Sequence, residues 1–420
     1  MRFTSHFGLF RLGTISLLFL GAHASLAQAA NWPRFRGEDG SGVSDEKGIP
    51  ATWSPGEYAF NIELPGEGHS APVIWDDRLF VTSAEKDGTV RHLLCLHART
   101  GELIWQRTTG MNNSKKHAKS SWASSTPATD GRQVYVAFAD ADRYSLTAYD
   151  FNGELVWRKL LGPYESQHGL GASPILFENL VIAANDQDGP SSIVALDRES
   201  GTTAWSTLRP GGLHATSYAT PVILQRESRP PLLICSSSQA GVSALDPRTG
   251  RQIWTTGSLP ARAVGSSVFG NGLVLQCCGG GGRGKEMVAI DPNGEGDVSK
   301  THIKYRREKM LPYVPTPIVY EGHLYLWTDD GIAICTDLNT RRDVWTQRIG
   351  GNFTSSLLCV DGKLYALSEN GDVVVVAASP EYKLFGKMPL GDPSHATPAA
   401  ANGRLYFRTF HRLACVEGCQ

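Results

Sequence analysis

The sequence predicts an all-β fold, an eight-bladed β-propeller built from four-stranded antiparallel blades. A short opening, usually Ser/Thr/Ala followed by Pro, precedes a β-branched run eight times. The pattern A-x-D-x-x-[ST]-G-x-x-x-W also recurs, and Trp105, Trp157, Trp205 and Trp254 follow one another at intervals of 52, 48 and 49 residues. A repeat of about 40 to 50 residues with four short strands is typical of a propeller blade.

Each predicted blade begins with a β-hairpin. The openings begin at Ser70, Ser125, Ala172, Ala219, Gly265, Pro315, Thr354 and Ala396. Turns such as Asp130-Gly131 and Asn271-Gly272 follow them, and both central residues of a type I′ hairpin turn need positive φ, which Asn, Asp and Gly tolerate. The openings and turns together predict the first two strands of each blade.

A second turn joins the third and fourth strands. Ala195 to Trp205 and Ala244 to Trp254 show the whole pattern, in which the Asp begins the turn, the Gly is left-handed and the strand then runs to a Trp. The segment Cys335 to Trp345 keeps the pattern but has Arg341 in place of the Gly.

The eighth blade lacks a fourth strand, because the chain ends soon after its third strand at Leu413 to Val416. The orphan strand Tyr58 to Leu64 is expected to supply it and to close the ring, which removes an exposed sheet edge. We therefore divide the chain into a signal peptide (residues 1–29), a leader segment (residues 30–57) and one propeller (residues 58–418).

The first 29 residues predict export. Arg2 and Arg11 precede the apolar run Leu12 to Leu20, and Ala27-Gln28-Ala29 fits a signal-peptidase site. The apolar run is shorter than the roughly 20 residues of a spanning helix, and no Cys precedes Cys95. We therefore expect a periplasmic or extracellular protein that is not a lipoprotein and does not span a membrane.

Charge excludes one class of partner. The chain has 40 basic and 41 acidic residues, for a formal net charge of −1. Nucleic-acid binders carry a basic patch or stripe instead, so a nucleic-acid partner is not expected.

The repeated motif, with its Ser/Thr-Pro opening, resembles the PQQ-like (pyrroloquinoline-quinone-type) β-propeller repeat family. The resemblance covers about residues 31–417, and Trp32-Pro33-Arg34-Phe35-Arg36-Gly37 resembles the leader of secreted bacterial members. It implies that the repeat tryptophans dock neighbouring blades: Trp105, Trp157, Trp205, Trp254 and Trp345. The family includes quinoprotein dehydrogenases that hold PQQ and Ca²⁺, an outer-membrane assembly lipoprotein, and secreted propellers without known activity.

The stretch Leu275 to Gly284, LQCCGGGGRG, bears on the dehydrogenase alternative. Its glycines are predicted to form the loop between a strand ending at Gln276 and one beginning at Glu286. No helix follows, which argues against a phosphate loop, and no second Cys or His pair stands at zinc-ligand spacing. Quinoprotein dehydrogenases place a disulfide between adjacent cysteines against PQQ, so Cys277 and Cys278 are a candidate vicinal disulfide. No motif for Ca²⁺ or for a catalytic Asp accompanies them, and we assign no metal site.

The residues just before each innermost strand should line the mouth of the channel. They are unusually polar and aromatic: His69, Trp122, His168, His214, Tyr218, Arg262, Tyr313, Asn352 and His395. The charged connection Gly110 to Ser121 is expected to be a solvated face, with contact to an acidic partner or cell-wall polymer as the alternative. The preferred function is a non-catalytic exported propeller, a monomer that binds a small molecule or protein partner at the mouth. The alternatives are a PQQ-dependent dehydrogenase of a small alcohol or sugar and an outer-membrane assembly factor.

Overall fold

The computed structural model describes residues 1–6, 8, 31–113, 116–212 and 215–418. Most of the predicted signal peptide, together with His214 and Cys419, lies outside the described residues. In the described ranges no helix has the length and apolar character needed to cross a bilayer. Regular structure is almost entirely β, apart from one 3-10 turn at Pro55–Glu57.

The described strands form eight sheets, which confirms the predicted fold class. Two strands precede the first blade: β1 (Val43–Ser44) and β2 (Tyr58–Glu63). Blades 1 and 2 contain β3 (Val73–Trp75), β4 (Arg78–Ala84), β5 (Val90–His97), β6 (Leu103–Gly110), β7 (Ala128–Thr129), β8 (Gln133–Ala139), β9 (Tyr144–Asp150) and β10 (Leu155–Gly162). Blades 3 and 4 contain β11 (Ile175–Phe177), β12 (Leu180–Asn185), β13 (Ser191–Asp197), β14 (Thr203–Arg209), β15 (Val222–Arg226), β16 (Arg229–Ser237), β17 (Gly241–Leu245) and β18 (Gln252–Thr255).

Blades 5 to 8 complete the ring. Blade 5 contains β19 (Val268–Gly270), β20 (Leu273–Gly280), β21 (Arg283–Ile290) and β23 (Ile303–Arg307), and the short β22 (Gly296–Asp297) joins the outer edge of blade 4. Blades 6 and 7 contain β24 (Ile318–Tyr320), β25 (His323–Trp327), β26 (Ile332–Asp337), β27 (Asp343–Arg348), β28 (Leu358–Val360), β29 (Lys363–Leu367), β30 (Asp372–Ala377) and β31 (Leu384–Pro389). Blade 8 contains β32 (Ala399–Ala401), β33 (Arg404–Arg408) and β34 (Arg412–Glu417).

The ring closes as the sequence predicts. Strand β2 pairs antiparallel with β34 as the fourth strand of blade 8, with Phe60 opposite Cys415. The strand ends at Glu63, one residue before the predicted bound. Phe60 also takes the place that a repeat tryptophan holds elsewhere, because a Cβ added to Gly101 of blade 1 would meet its ring at 2.9 Å.

Neighbouring blades dock through the repeat tryptophans. The indole N–H of each donates to a backbone carbonyl of the next blade over 2.8 to 3.1 Å; the residues are Trp105, Trp157, Trp205, Trp254 and Trp345. The left-handed Gly of the next blade leaves room for the ring: a Cβ on Gly201 would lie 2.6 Å from Trp157. Blade 5 has Tyr305 in place of Trp, and the guanidinium of Arg341 covers its ring at 4.7 Å. The Arg that replaces the Gly in blade 6 thus packs on the Tyr that replaces the Trp in blade 5.

The hydroxyl of the Ser/Thr-Pro opening has a structural role that the sequence left unassigned. It accepts a hydrogen bond from a backbone N–H of the preceding blade at six of the eight interfaces, over 2.9 to 3.1 Å; the acceptors are Thr126, Ser173, Thr220, Thr316, Ser356 and Thr397. These bonds run around the channel wall. They satisfy backbone N–H groups at the blade interfaces.

The cysteines behave as small core residues. Cys95, Cys335 and Cys415 are fully buried free thiols that pair across the sheet with Trp105, Trp345 and Phe60. A free Cys packs as a small hydrophobe. The larger aromatic partner fills the blade interface beside it.

Candidate functional site

The leader segment, residues 31–57 in the structure, crosses one end of the channel. Trp32 forms an isolated bridge with Ile74 of blade 1, and Pro33 accepts a hydrogen bond from Thr129 of blade 2. On the far side, β1 pairs in parallel with β28 on the inner edge of blade 7. The leader therefore closes the channel at the end where the first hairpin turns lie.

Arg36 holds the leader to blades 6 and 7. Its fully buried guanidinium donates to the carbonyls of Thr316 at 3.3 Å, Pro317 at 2.7 Å and Leu357 at 3.2 Å. Burial lowers the pKa of Arg36 to about 9, so the group stays protonated at neutral pH. Its neighbour Phe35 lies at the floor of the open side of the channel.

The other end of the channel is an open cavity of about 690 Å³. This volume is within the usual range for ligand sites, roughly 300–1,000 Å³. Seven of the nine predicted mouth residues line it: His69, His168, Tyr218, Arg262, Tyr313, Asn352 and His395.

The other two predicted mouth residues are His214 and Trp122. His214 lies outside the described residues. Trp122 does not line the cavity, because its ring packs beside Gly88 of blade 1, where an added Cβ would meet it at 2.5 Å. Lys116 lies over the same ring, 4.7 Å from its centroid. Trp122 is therefore corrected from a candidate ligand contact to a packing residue beside the mouth.

Two imidazoles meet where blade 8 joins blade 1. The rings of His69 and His395 are 4.7 Å apart, and Phe410 lies 4.7 Å from the first and 5.0 Å from the second. Burial, followed by the positive charge of neighbours such as Arg408, keeps the pKa of His69 well below its ordinary value. Burial also lowers the pKa of His395. Both rings are therefore neutral at pH 7.

An ion pair lies beside these rings. Lys119 Nζ is 2.6 Å from Glu369 Oε1, and Thr354 donates to the same oxygen over 2.6 Å. These bonds outweigh burial and hold the pKa of Glu369 below its ordinary value. Lys119 and His117 belong to the connection expected to be a solvated face, and both line the open cavity, His117 as an exposed side chain.

The opposite wall carries Arg262. Its Nη1 donates to Nε2 of His168 over 2.8 Å and its Nη2 donates to Gln167 over 3.3 Å. The guanidinium also lies 5.9 Å from the centroid of Tyr218, and burial raises the pKa of that phenol to about 12. Among the described residues no carboxylate forms an ion pair with Arg262.

Blade 6 supplies two carboxylates, Asp329 and Asp330. Asp329 accepts backbone hydrogen bonds from Tyr313 at 2.7 Å and Val314 at 3.3 Å. Burial outweighs these bonds and raises the pKa of Asp329 to about 6. Asp330 is exposed and accepts from Thr328 over 2.6 Å. No Lys or Arg in the described part of the chain forms an ion pair with either carboxylate.

The two strands that carry the glycine-rich stretch extend further into it than predicted. Strand β20 continues through both cysteines to Gly280, and β21 begins at Arg283. The turn is only Gly281-Gly282, with φ of 63° and 74°, and its tip lines the cavity. The predicted loop between Gln276 and Glu286 is therefore corrected to a two-residue turn.

Cys277 and Cys278 lie inside β20, away from the cavity. Both are buried free thiols in the structure. Because successive strand residues point to opposite faces, Cys277 packs with Leu311 at the interface with blade 6, whereas Cys278 packs with Trp254 at the interface with blade 4. The structure therefore forms no vicinal disulfide here.

Comparison with known proteins supports the repeat assignment. A family model described as "Outer membrane protein assembly factor BamB" matches residues 86–347 and, in an overlapping match, 238–381. The chain belongs to this PQQ-like propeller repeat family. It is 24% identical over 296 residues to "Outer membrane protein assembly factor BamB" of Moranella endobia (strain PCIT), covering 66% of this chain and 69% of the relative.

Solved structures of the PQQ-like family share the fold. A quinohemoprotein alcohol dehydrogenase from Comamonas testosteroni matches with a TM-score of 0.68 and 13% identity, over 93% of this chain and 81% of the other. BamB from Moraxella catarrhalis matches with a TM-score of 0.60 and 15% identity, over 86% and 99%. At such identities the likeness shows the fold alone.

The described residues do not fit the PQQ and Ca²⁺ of the family's dehydrogenases. Ca²⁺ takes 6–8 oxygen ligands, but no three His, Cys, Asp or Glu side chains in the described ranges are placed to hold a metal ion. The adjacent cysteines are also turned away from the cavity, so we derive no chemistry through PQQ.

Sequence reasoning missed five titratable residues of the cavity: His117, Lys119, Asp329, Asp330 and Glu369. The three carboxylates lie in turns between the second and third strands, which lie on the same face as the blade-to-blade connections. That position in the repeat could have identified them. His117 and Lys119 lie in a connection without a counterpart in other blades, so the repeat gave no signal for them.

Proposed function

We propose that this chain is an exported, non-catalytic propeller that binds a partner protein at the open channel mouth. The supporting observation is the difference between the two channel ends. The leader fills one end and its Arg36 is bonded to backbone carbonyls. The other end keeps charged and imidazole groups around an open cavity.

The groups at the mouth suit binding better than catalysis. His69 and His395 are neutral, but each lies against the other and Phe410. The one short ion pair, Lys119 with Glu369, is satisfied internally. A general acid or base must reach the proton of a bound substrate, but the His395 ring is held by the Lys119 carbonyl at 3.1 Å and packs against His69 and Phe410. Arg262 and the carboxylates of blade 6 can instead recognise charge.

An outer-membrane assembly factor is a second, more specific candidate. The family match and the names of the curated relatives favour it. Retention of a barrel-assembly partner with the tagged mature protein would support this role, and its absence would leave the general binding function as the proposal.

Blocking the mouth tests the proposed function. Asn352 is exposed at the cavity, and only its backbone carbonyl accepts a hydrogen bond, from Glu369. Asn352→Trp should therefore fill the mouth without breaking a side-chain contact. Asn339→Trp, at an exposed turn on the outer rim, is the matched control.

The measurement is affinity capture of envelope proteins from the native host with the mature protein and both variants. We expect Asn352→Trp to lose a partner that the wild type and Asn339→Trp retain. A partner retained equally by all three would contradict binding at the mouth. Titration with PQQ and Ca²⁺, followed by dye reduction, provides a separate test, because saturable turnover would contradict a non-catalytic protein.

A further inference from the structure

A second groove continues outward from the mouth cavity. It has a volume of about 510 Å³ and lies between the connections of blades 4 and 5 and the glycine hairpin. It shares Arg262, Gly281 and Tyr313 with the cavity. The two spaces therefore meet at one boundary, and a ligand can extend through both.

The carboxylates lie in the cavity wall, Arg262 lies at the boundary that both spaces share, and Lys285 lies in the groove. The cavity wall includes Asp329 and Asp330, which form no ion pair with a Lys or Arg in the described residues. The groove is lined by Arg262 and Lys285 and by no carboxylate. Neither cation forms an ion pair in the described part of the chain. A ligand that spans both spaces would therefore be recognised by opposite charges at its two ends.

The boundary between the spaces suits a polypeptide backbone. The turn Gly281-Gly282 has no side chains, and a Cβ added at either glycine would meet no atom within 4 Å. Such glycines permit close approach of another backbone. On one side Gly279 is bridged to Arg262, and on the other Gly284 donates to the carbonyl of Leu311. The hairpin is thus fixed at its base while its tip stays open.

We propose that the mouth and groove bind one extended peptide segment whose basic end contacts Asp329 and Asp330 and whose acidic end contacts Arg262 and Lys285. This inference rests on the proposed function and names the chemistry of its partner. Charge-assisted hydrogen bonds, particularly from a guanidinium to a carboxylate, are stronger than neutral ones. A free amino acid or dipeptide has the same two charges but a shorter backbone, so it shows whether binding needs an extended segment.

Synthetic peptides test this assignment. A fluorescent eight-residue peptide with two Lys at one end, two Asp at the other and Gly/Ser between them would span about 26 Å when extended. Binding to the full mature protein is measured by anisotropy at low salt. We expect about tenfold tighter binding than for a peptide of the same composition with the charges interleaved, and a clear advantage over a Lys-Asp dipeptide.

Charge-removing variants locate each end. Arg262→Gln and Lys285→Gln should each weaken binding of the segregated peptide by about tenfold, the usual consequence of losing a charged hydrogen bond. Asp330→Asn should do the same, and it provides a readout if Asp329→Asn disturbs the backbone bonds. Arg251→Gln and Glu199→Gln, at exposed rim positions, are the matched controls.

The outcomes separate this inference from the proposed function. Equal binding of segregated and interleaved peptides, or no effect of the Arg262 and Asp330 variants, would overturn the inference. Equally tight dipeptide binding would also overturn it, since the occupant would then be a small zwitterion. If every peptide fails but Asn352→Trp still abolishes partner capture, only this inference is lost. If neither experiment shows dependence on the mouth, both are lost.

Discussion

The two ends of the central channel differ in whether their charged side chains are fully hydrogen-bonded within the protein. At the leader end, the buried guanidinium of Arg36 is surrounded by carbonyls of the leader and of blades 6 and 7. At the mouth, Arg262 meets only neutral partners and the carboxylates of blade 6 meet no cation among the described residues. One ring of repeats therefore has a closed structural end and an end with charges available for binding.

This difference arises because the repeated sequence pattern does not specify which residues lie at either end of the channel. Inside the wall, the Ser/Thr hydroxyls satisfy backbone groups between blades. The closed end depends on a segment outside the repeat, whereas the mouth depends on connections that vary from blade to blade. Substitutions at the leader end should therefore lower the stability of the fold. Substitutions at the mouth should instead weaken partner binding and leave the stability nearly unchanged.

The largest effect is expected at the leader end. Arg36→Met keeps much of the side-chain volume but leaves the carbonyls of Thr316, Pro317 and Leu357 without their donor. An unsatisfied buried group costs roughly 1–3 kcal/mol, so the free energy of unfolding should fall by about 3 kcal/mol in a denaturant titration. Arg99→Met, at an exposed turn, is the control. A loss below about 1 kcal/mol would show that the leader does not anchor the ring.

A smaller, pH-dependent effect is expected at the mouth. Because the pKa of His69 is lowered in the folded protein, the unfolded chain binds the proton first as pH falls, and stability decreases below about pH 6.5. Asp329 acts in the opposite direction: its pKa is raised to about 6, so its stabilising contribution at low pH is lost as pH rises through that value.

The variant His69→Gln separates the two contributions. Relative to wild type, its free energy of unfolding should increase between pH 7 and pH 5, by at most about 2 kcal/mol, which is the full proton linkage of a His with an unfolded pKa of about 6.5 over that range. Unfolding at a series of pH values measures this difference. A difference that does not change with pH would mean that His69 titrates alike in the folded and unfolded protein.

The smallest effect on stability is expected for Arg262→Gln. Its partners are His168 and Gln167, neither of which is left as a buried charge by the substitution. The free energy of unfolding should change by less than about 0.5 kcal/mol, as for most partly exposed positions. Thermal unfolding compared with wild type checks this, and a loss as large as that of Arg36→Met would remove the distinction between the two ends.

The sequence predicted the repeated parts of the fold well. Hairpin turns, the Trp turns and the closing strand all lie where the repeat places them, because each depends on local chemistry that recurs in every blade. Strands β1 and β22 were not predicted, since both pair in parallel with distant strands and have only two residues. The leader also lacked any periodicity that would indicate its path across the channel.

The candidate site was predicted in part. Knowing the position before each inner strand was sufficient to place His69, Arg262 and His395 at one cavity. It was not sufficient for Trp122, because a connection can turn a ring away from the channel towards Gly88 of its neighbour. The adjacent cysteines show the same limit: the strand geometry of β20 separates two side chains that sequence places together.

Hydrogen exchange of the mature protein tests the difference between the ends most directly. The leader is tied by Trp32 to Ile74 and by the Cys359 amide to Gly42. We predict that the hydrogen-bonded amides of Trp32, Gly42 and Cys359 exchange only through global unfolding, while those of the mouth segments 116–121 and 281–282 exchange through local opening. Leader amides that exchange as fast as the mouth segments would contradict the account.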